Sequence, residues 1–336
     1  VQSNANTIDG KDAAMDAQPE TMITPQEILA ARAAIDPVFL DSPAMRHGAL
    51  DAALGCAVTL KVESLNPVRS FKGRGTEALL ASLDPLPAAV VATSSGNFGQ
   101  GLARAAARRG VAATILAPSW ANPLKLDAMR RLGATVRLAD PADGAGKDVA
   151  RRIAAEMGAL FVEDGGHRII TAGAGVIGQE LTAGGHEVDD VIVQIGDGAL
   201  ATGIGCWFKA QAPGTRIIGV VARGAPAMAQ SFAAGRAIDT ADVDTIADGM
   251  AIARPVPSAV AQLRACVDEI LLVDDDAIVE AARLLLRTAG VLAEPSGAAG
   301  LAAVMTHRDR FAGRRVATVI TGSNLDAAFQ AKLLVA

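Results

Sequence analysis

Nine short apolar runs alternate with helical patterns along most of this chain. The runs lie at 58–62, 88–92, 112–116, 134–138, 159–162, 190–195, 216–221, 269–273 and 316–320, and each is long enough for one buried strand. Helical patterns fall at 99–109, 123–132, 146–157, 173–183, 276–289 and 297–306. This order predicts an α/β fold with mainly parallel strands. Right-handed crossovers then gather the loops that follow the strand C-termini at one crevice. Glycine-bearing loops after 62, 92 and 195 all stand at such strand ends.

The loop after 62 carries Ser70-Phe71-Lys72-Gly73-Arg74-Gly75, where loop passes into helix. A lysine hemmed in by glycines and a phenylalanine can stay partly desolvated, and its amine is then poised to form a Schiff base. The plainer alternative is a surface lysine at a helix start, a position where cations are mildly disfavoured. The loop after 92, Thr93-Ser94-Ser95-Gly96-Asn97-Phe98-Gly99-Gln100-Gly101, offers backbone N–H groups and small hydroxyls to an anion at a helix N-terminus.

These two stretches resemble the Schiff-base motif and the asparagine loop of pyridoxal-phosphate (PLP) enzymes of the tryptophan-synthase-β type, fold type II. The Schiff-base motif resembles especially that of the threonine dehydratase and serine racemase branch. Three further segments follow in the family's order: Ile195-Gly196-Asp197-Gly198-Ala199-Leu200, Leu292-Ala293-Glu294-Pro295-Ser296-Gly297-Ala298, and Val319-Ile320-Thr321-Gly322-Ser323-Asn324-Leu325-Asp326. The resemblance implies two three-layer α/β domains with the active site in the cleft between them. A small domain at 86–166 is expected to be inserted into a large one formed by 21–85 and 167–336. Residues 1–20, polar and aperiodic, are expected to be a flexible tail. A chain ending soon after Asp326 carries the expectation that the regulatory extension of some threonine dehydratases is missing.

The resemblance also assigns roles. Lys72 holds the cofactor and then acts as base, with Phe71 beside it. Gly196, Asp197, Gly198, Ala199 and Leu200 cradle the phosphate, Asn97 bonds the ring oxygen, Glu294 lies near the ring, and Thr321 sits beside the pyridine nitrogen. Ser94, Ser95, Gly96, Asn97 and Phe98 bind substrate, and Ser95 is a candidate second acid or base. Its alternative is a serine that bonds only its own loop. Asp197 and Ala199 replace glycines of the family pattern. The Asp197 carboxylate is therefore expected to face outward, away from the phosphate, with only its N–H contributing.

Two departures bear on substrate. Phe98 stands where the branch usually has histidine, and Gly146 stands where some relatives have an arginine. Both make the site less polar and the second makes it roomier, which suggests, among threonine, serine and bulkier 3-hydroxy amino acids, one with a larger or apolar side chain such as phenylserine rather than serine itself. The reaction implied is elimination of water to a 2-oxo acid and ammonia, with racemisation or β-replacement as alternatives in the same cofactor class. A non-catalytic amino-acid-binding or PLP-binding protein is the alternative outside it.

Rival signals are weaker. Gly173-Ala174-Gly175-Val176-Ile177-Gly178 matches a dinucleotide fingerprint but lacks a convincing strand before it, so close helix packing explains its glycines better. Asp274-Asp275-Asp276 reads as a helix N-terminus rather than a metal site. The chain continues Ala222-Arg223-Gly224 where some relatives carry a metal-binding glutamate, so no metal is expected there. Tyrosine is absent, which removes one common acid/base residue. A formal charge of −5 argues against nucleic acid or an anionic membrane as partner. Cys56, Cys206 and Cys266 are widely spaced and read as buried thiols of a reducing compartment, hence a cytoplasmic protein. The family resemblance implies a homodimer.

Overall fold

The computed structural model describes residues 22–119, 121–139 and 146–334. The expected tail at 1–20 lies outside the described residues. Two parallel sheets organise the rest. The larger has six strands in the order β1 (Ala44–Arg46), β2 (Ala57–Val62), β10 (Arg315–Ile320), β7 (Asp190–Gln194), β8 (Arg216–Ala222) and β9 (Glu269–Val273). Only β1 runs antiparallel. The smaller sheet is all parallel, in the order β5 (Thr135–Ala139), β4 (Ala112–Pro118), β3 (Ala89–Thr93) and β6 (Leu160–Val162). It is built from a segment inserted between strands of the larger sheet.

Each sheet is covered on both faces. In the smaller one, Val90 and Ala92 of β3 pack with Leu102 and Ala106 of α4 (Asn97–Ala107), and with Leu126 and Met129 of α5 (Pro123–Arg131). Val91 turns to the other face, against Val149, Ala150 and Ala154 of α6 (Gly146–Met157). This alternation is the two-residue period of a strand. In the larger sheet, α12 (Pro295–Thr306) lies across β7, β8, β9 and β10, with α11 (Asp275–Ala289) against it. Helices α7 (Arg168–Ala183) and α8 (Ala199–Gln211) form a packed pair, and α8 rests on β7 and β8. Because β2, β10 and β7 are adjacent and parallel, the segments leaving their C-termini meet at one edge.

All nine expected strands are present. The tenth, β1, is a three-residue, partly exposed edge strand with too little apolar pattern to be read. Helix α7 starts at Arg168, so the 173–178 glycines lie inside a helix and form no dinucleotide loop. A Cβ on Gly173 would come within 2.9 Å of the Gly75 Cα, and one on Gly175 within 2.9 Å of the Gly203 carbonyl. These glycines let α7 touch α8 and α3 (Lys72–Ser82) backbone to backbone. Further along, Gly178 of α7 faces Trp207 of α8, whose indole N–H donates to Thr182 Oγ1 at 2.8 Å. The Thr24-x-x-Glu27 capping box forms at α1 (Pro25–Ala34), with Glu27 N donating to Thr24 Oγ1 at 3.2 Å. In the acidic run, Asp274 pairs with Arg223 at 2.7 Å, and Asp275 accepts from Thr245 Oγ1 and Ile246 N.

A buried charge cluster joins β2 and α7 to the lysine-bearing helix. Arg74 has no exposed surface. Its Nε and Nη2 donate to Glu63 at 2.6 and 2.8 Å, and its Nη1 and Nη2 donate to Glu180 at 2.7 and 2.8 Å. Lys61 Nζ donates to Glu180 at 2.6 Å. Arg32 of α1 adds a third contact to Glu180 at 3.1 Å, so three cations face two carboxylates across α1, β2, α3 and α7. Burial raises the Glu180 carboxyl, but the hydrogen bonds and charge of Arg74, then Lys61, outweigh it and hold the group at about 2.

Because that folded value lies below the ordinary carboxylate range, the stabilisation is present above that range and is lost as pH falls toward 2. Glu180→Gln is therefore expected to cost about 3–5 kcal/mol at neutral pH by leaving buried cations uncompensated. The gap from the parent protein should narrow as pH falls below about 4.5. Urea unfolding across pH measures both, and a pH-independent gap would show that Glu180 is not ionised in the folded state.

Candidate active site

The loop from β2 to α3 is shaped by Asn66. Its Oδ1 accepts from the Val68 and Ser70 amides at 3.1 and 3.3 Å, and its Nδ2 donates to the Glu63 and Ser70 carbonyls at 2.7 and 3.1 Å. Phe71 N then donates to the Thr321 carbonyl at 3.0 Å, which fastens the loop to the end of β10. Lys72 opens α3 and projects into a cleft of about 720 Å³ between the two sheets. Its Nζ lies 2.5 Å from Asp164 Oδ2, 4.9 Å from the Phe71 ring centroid and 5.9 Å from that of Phe98. The amine is thus ion-paired rather than merely desolvated. Asp164 follows β6, and its second oxygen, Oδ1, is buried with no partner among the described residues.

The asparagine loop lines the same cleft through Ser94, Ser95, Gly96, Asn97 and Phe98. The loop-bonding role considered for Ser95 belongs to Ser94, whose Oγ accepts from the Gly96 and Gly99 amides at 3.1 and 2.9 Å. The Ser95 hydroxyl makes no hydrogen bond among the described residues. Asn97 Nδ2 donates to Glu294 Oε1 at 2.5 Å, and its Oδ1 accepts from Asn324 Nδ2 at 2.9 Å. Asn324 N also donates to Glu294 Oε2 at 3.2 Å. Thr321 is 4% exposed and faces the cleft, whereas Ser323, on the same turn, does not line it.

The loop after β7 brings Gly196, Asp197, Gly198, Ala199 and Leu200 to the opposite wall. Gly198 has φ of +100°, a left-handed conformation that favours glycine, and no side chain caps the α8 N-terminus behind it. A Cβ on Gly196 would come within 2.3 Å of the Gly249 carbonyl, so only glycine lets the 249 backbone pack this closely against the loop. Asp197 corrects an expectation. Its side chain does not face outward but lines the cleft near Asp164, Lys72 and Lys147. Burial first, and then Asp164, push its carboxyl up to about 6. At the α6 end, a Cβ on Gly146 would meet nothing within 4 Å among the described residues, which fits the space expected there. It is not apolar, however. Lys147 and Arg151 line it and pair with Glu163 at 2.9 and 2.8 Å.

Sequence reasoning missed Asp164, Asn324, Lys125 and Asp248. Asp164 carried one usable signal, a carboxylate two residues after a strand, on the edge where the other loops converge. Lys125 spans the cleft to reach Asp248 at 2.5 Å, and no local pattern announces such a pair.

The residues fit pyridoxal phosphate. An uncapped helix N-terminus behind an open glycine cradle suits a phosphate. A lysine amine, a Thr321 hydroxyl unpartnered among the described residues and an orphaned carboxylate oxygen on Asp164 stand in the same cleft. Two parallel α/β units with this lysine between them define a fold type II PLP enzyme. Residues 35–322 match the pyridoxal-phosphate dependent enzyme family, and the chain belongs to it. It is 35% identical to an L-threonine ammonia-lyase of Thermotoga maritima over 307 residues, covering 91% of this chain and 76% of that one. Among solved structures, a threonine deaminase from T.th. superposes with a TM-score of 0.85 at 33% identity, covering 90% of this chain and 99% of that one. Maize serine racemase superposes at 0.87 with 30% identity, covering 93% and 97%.

Asp197 is neutral below about pH 6 and charged above it, so an anion at the cradle should bind less tightly as pH rises through that value. Asp197→Gly is expected to strengthen PLP binding at pH 8 about tenfold, the equivalent of one pKa unit of interaction. It should also flatten the dependence between about pH 5 and 8. Equilibrium dialysis of the cofactor-free protein checks this. Unchanged affinity at both ends of the range would place the carboxylate away from the phosphate.

Proposed function

We propose that this enzyme removes water from a 3-hydroxy amino acid to give a 2-oxo acid and ammonia. The observation that carries the reading is the placement of Lys72 in one cleft with the asparagine loop and with Thr321, a neutral hydroxyl where a carboxylate would strengthen the electron sink. Bound PLP supplies that sink for the electron pair left when the substrate's Cα–H bond breaks.

The chain's own residues do the rest. Lys72 Nζ is the atom that would hold the cofactor covalently, and once released it takes the α-proton. Asp164, in contact with that nitrogen, holds its charge and can take a proton from it. The Gly96 and Asn97 amides, together with Ser95, are the groups for the substrate carboxylate. The amides of the 196–200 loop are the groups for the phosphate. Phe98 is 4% exposed and closes the wall beside Lys72 to water. Thr321 cannot keep a ring nitrogen protonated as a carboxylate would, which favours prompt loss of the β-hydroxyl over reprotonation.

Racemisation is the second reading, and the Ser95 hydroxyl, unpartnered among the described residues, is the observation that favours it. The space at Gly146 supports acceptance of side chains as large as that of phenylserine. Three free buried thiols support a reducing, cytoplasmic setting, and the family likeness supports a homodimer.

Borohydride reduction followed by peptide mapping should fix PLP to Lys72. Lys72→Ala should lose both that adduct and turnover of a threonine, serine and phenylserine panel scored by keto-acid release. An adduct on another lysine would overturn the assignment. A panel yielding D-amino acids without keto acid would favour the racemase reading. Thr321→Asp should keep most cofactor bound, by absorbance, while keto-acid release slows roughly tenfold, about 1.4 kcal/mol of barrier. Unaltered release would place a different group at the ring nitrogen.

A further inference from the structure

Lys125 is a second lysine in the cleft, with a side chain only 8% exposed. It sits in the first half of α5, on the smaller sheet's unit, and its ion-pair partners belong to the larger one. Its Nζ is 2.5 Å from Asp248 Oδ2 and 4.0 Å from Glu294 Oε2. Its stem crosses the asparagine loop so closely that a Cβ on Gly96 would come within 2.5 Å of its Cδ. We propose that Lys125 is a positioning residue, which engages Asp248 and Glu294 across the cleft and through Glu294 orients Asn97.

The hydrogen bonds give this a direct route. Glu294 is 2% exposed and accepts from Asn97 Nδ2 and from the Asn324 amide, while Asn324 Nδ2 donates to Asn97 Oδ1. Both ends of the Asn97 carboxamide are therefore fixed, and one amide hydrogen is left for a ligand in the cleft. A bond to a carboxylate is roughly twice as strong as one to a neutral carboxyl. Protonating Glu294 would thus loosen Asn97 without removing any atom.

The charges around Glu294 make that proton a real variable. Burial and Asp248 raise its carboxyl, Lys125 and the Asn97 and Asn324 hydrogen bonds lower it, and burial wins, leaving the group pushed up to about 7. Asp326 acts on Lys125 from beyond the pair. The significance of Asn97 for catalysis rests on the proposed function, but the charge state of Glu294 does not.

The test uses the holoenzyme. Infrared difference spectra across pH read the Glu294 carboxyl stretch, assigned as the band lost in Glu294→Gln. The pH profile of kcat/KM is recorded alongside. Lys125→Met should raise the Glu294 midpoint by about one pH unit or more, the usual effect of an opposite charge at this range. The acid limb of kcat/KM should move with it, and Lys125→Arg should restore both. Asp248→Asn should move the midpoint the other way, downward, which a general packing defect would not do. If Lys125→Met does not fold, Asp248→Asn carries the test, and a midpoint that fails to fall overturns the proposal. An unmoved midpoint in folded Lys125→Met also overturns it. Loss of turnover on every amino acid, with the infrared shifts intact, would instead count against the proposed function and leave the role of Lys125 standing.

Discussion

The Arg74 guanidinium is the point on which the reactive lysine depends. It lies two residues beyond Lys72, and a helix cannot place one residue of its first turn without placing the other. With its donors committed to carboxylates on β2's exit and on α7, the start of α3 has little freedom to roll or slide. Such a cluster is costly to dehydrate, and a well-packed apolar substitute could match it in stability. Apolar contacts would not aim the helix so narrowly, because they lack direction. The cluster supplies orientation, and the backbone contact between Gly75 and Gly173 keeps the helices from being pushed apart.

Around that fixed mount, the active site is assembled from both units. Lys72 meets Asp164, Asn97 meets Glu294 and Asn324, and Lys125 meets Asp248, and each pair joins the smaller sheet's side of the cleft to the larger one's. The cleft is therefore closed by charges and amides rather than by an apolar seam. Polar seams of this kind respond to whatever anion or proton enters them. That is a suitable property for a site that must admit a zwitterion and release a keto acid.

Much of the scaffold is legible in the sequence because covered strands read as plain apolar runs and helices as periodic ones. What escapes is short or reaches over long distance. Strand β1 has three residues and one partner. The Lys72–Asp164 pair joins positions 92 apart, and Lys125–Asp248 joins positions 123 apart, so neither leaves a local trace. Asp197 departs from expectation for another reason. Repulsion from a phosphate argues for an outward carboxylate, but that argument assumes the group is charged. Beside Asp164 its proton affinity rises instead, to about 6, so the group is partly neutral at mildly acidic pH, and Lys72 and Lys147 face it when it is charged. The expectation of a less polar substrate end fails similarly, since the charges lost at 98 and 146 are offset by Lys147 and Arg151 on the first turns of α6.

Trp207, seated between α7 and α8, has a consequence for how this protein can be watched. The chain contains no tyrosine and two tryptophans, of which Trp120 lies outside the described residues. Trp207 is in the third turn of α8, roughly 12 Å along the axis from the helix end that faces the cradle. Its buried indole is therefore coupled to that end through the helix. With Trp120 replaced, the chain would carry one tryptophan, whose emission would report on the α7–α8 seam with no phenolic side chain to obscure it.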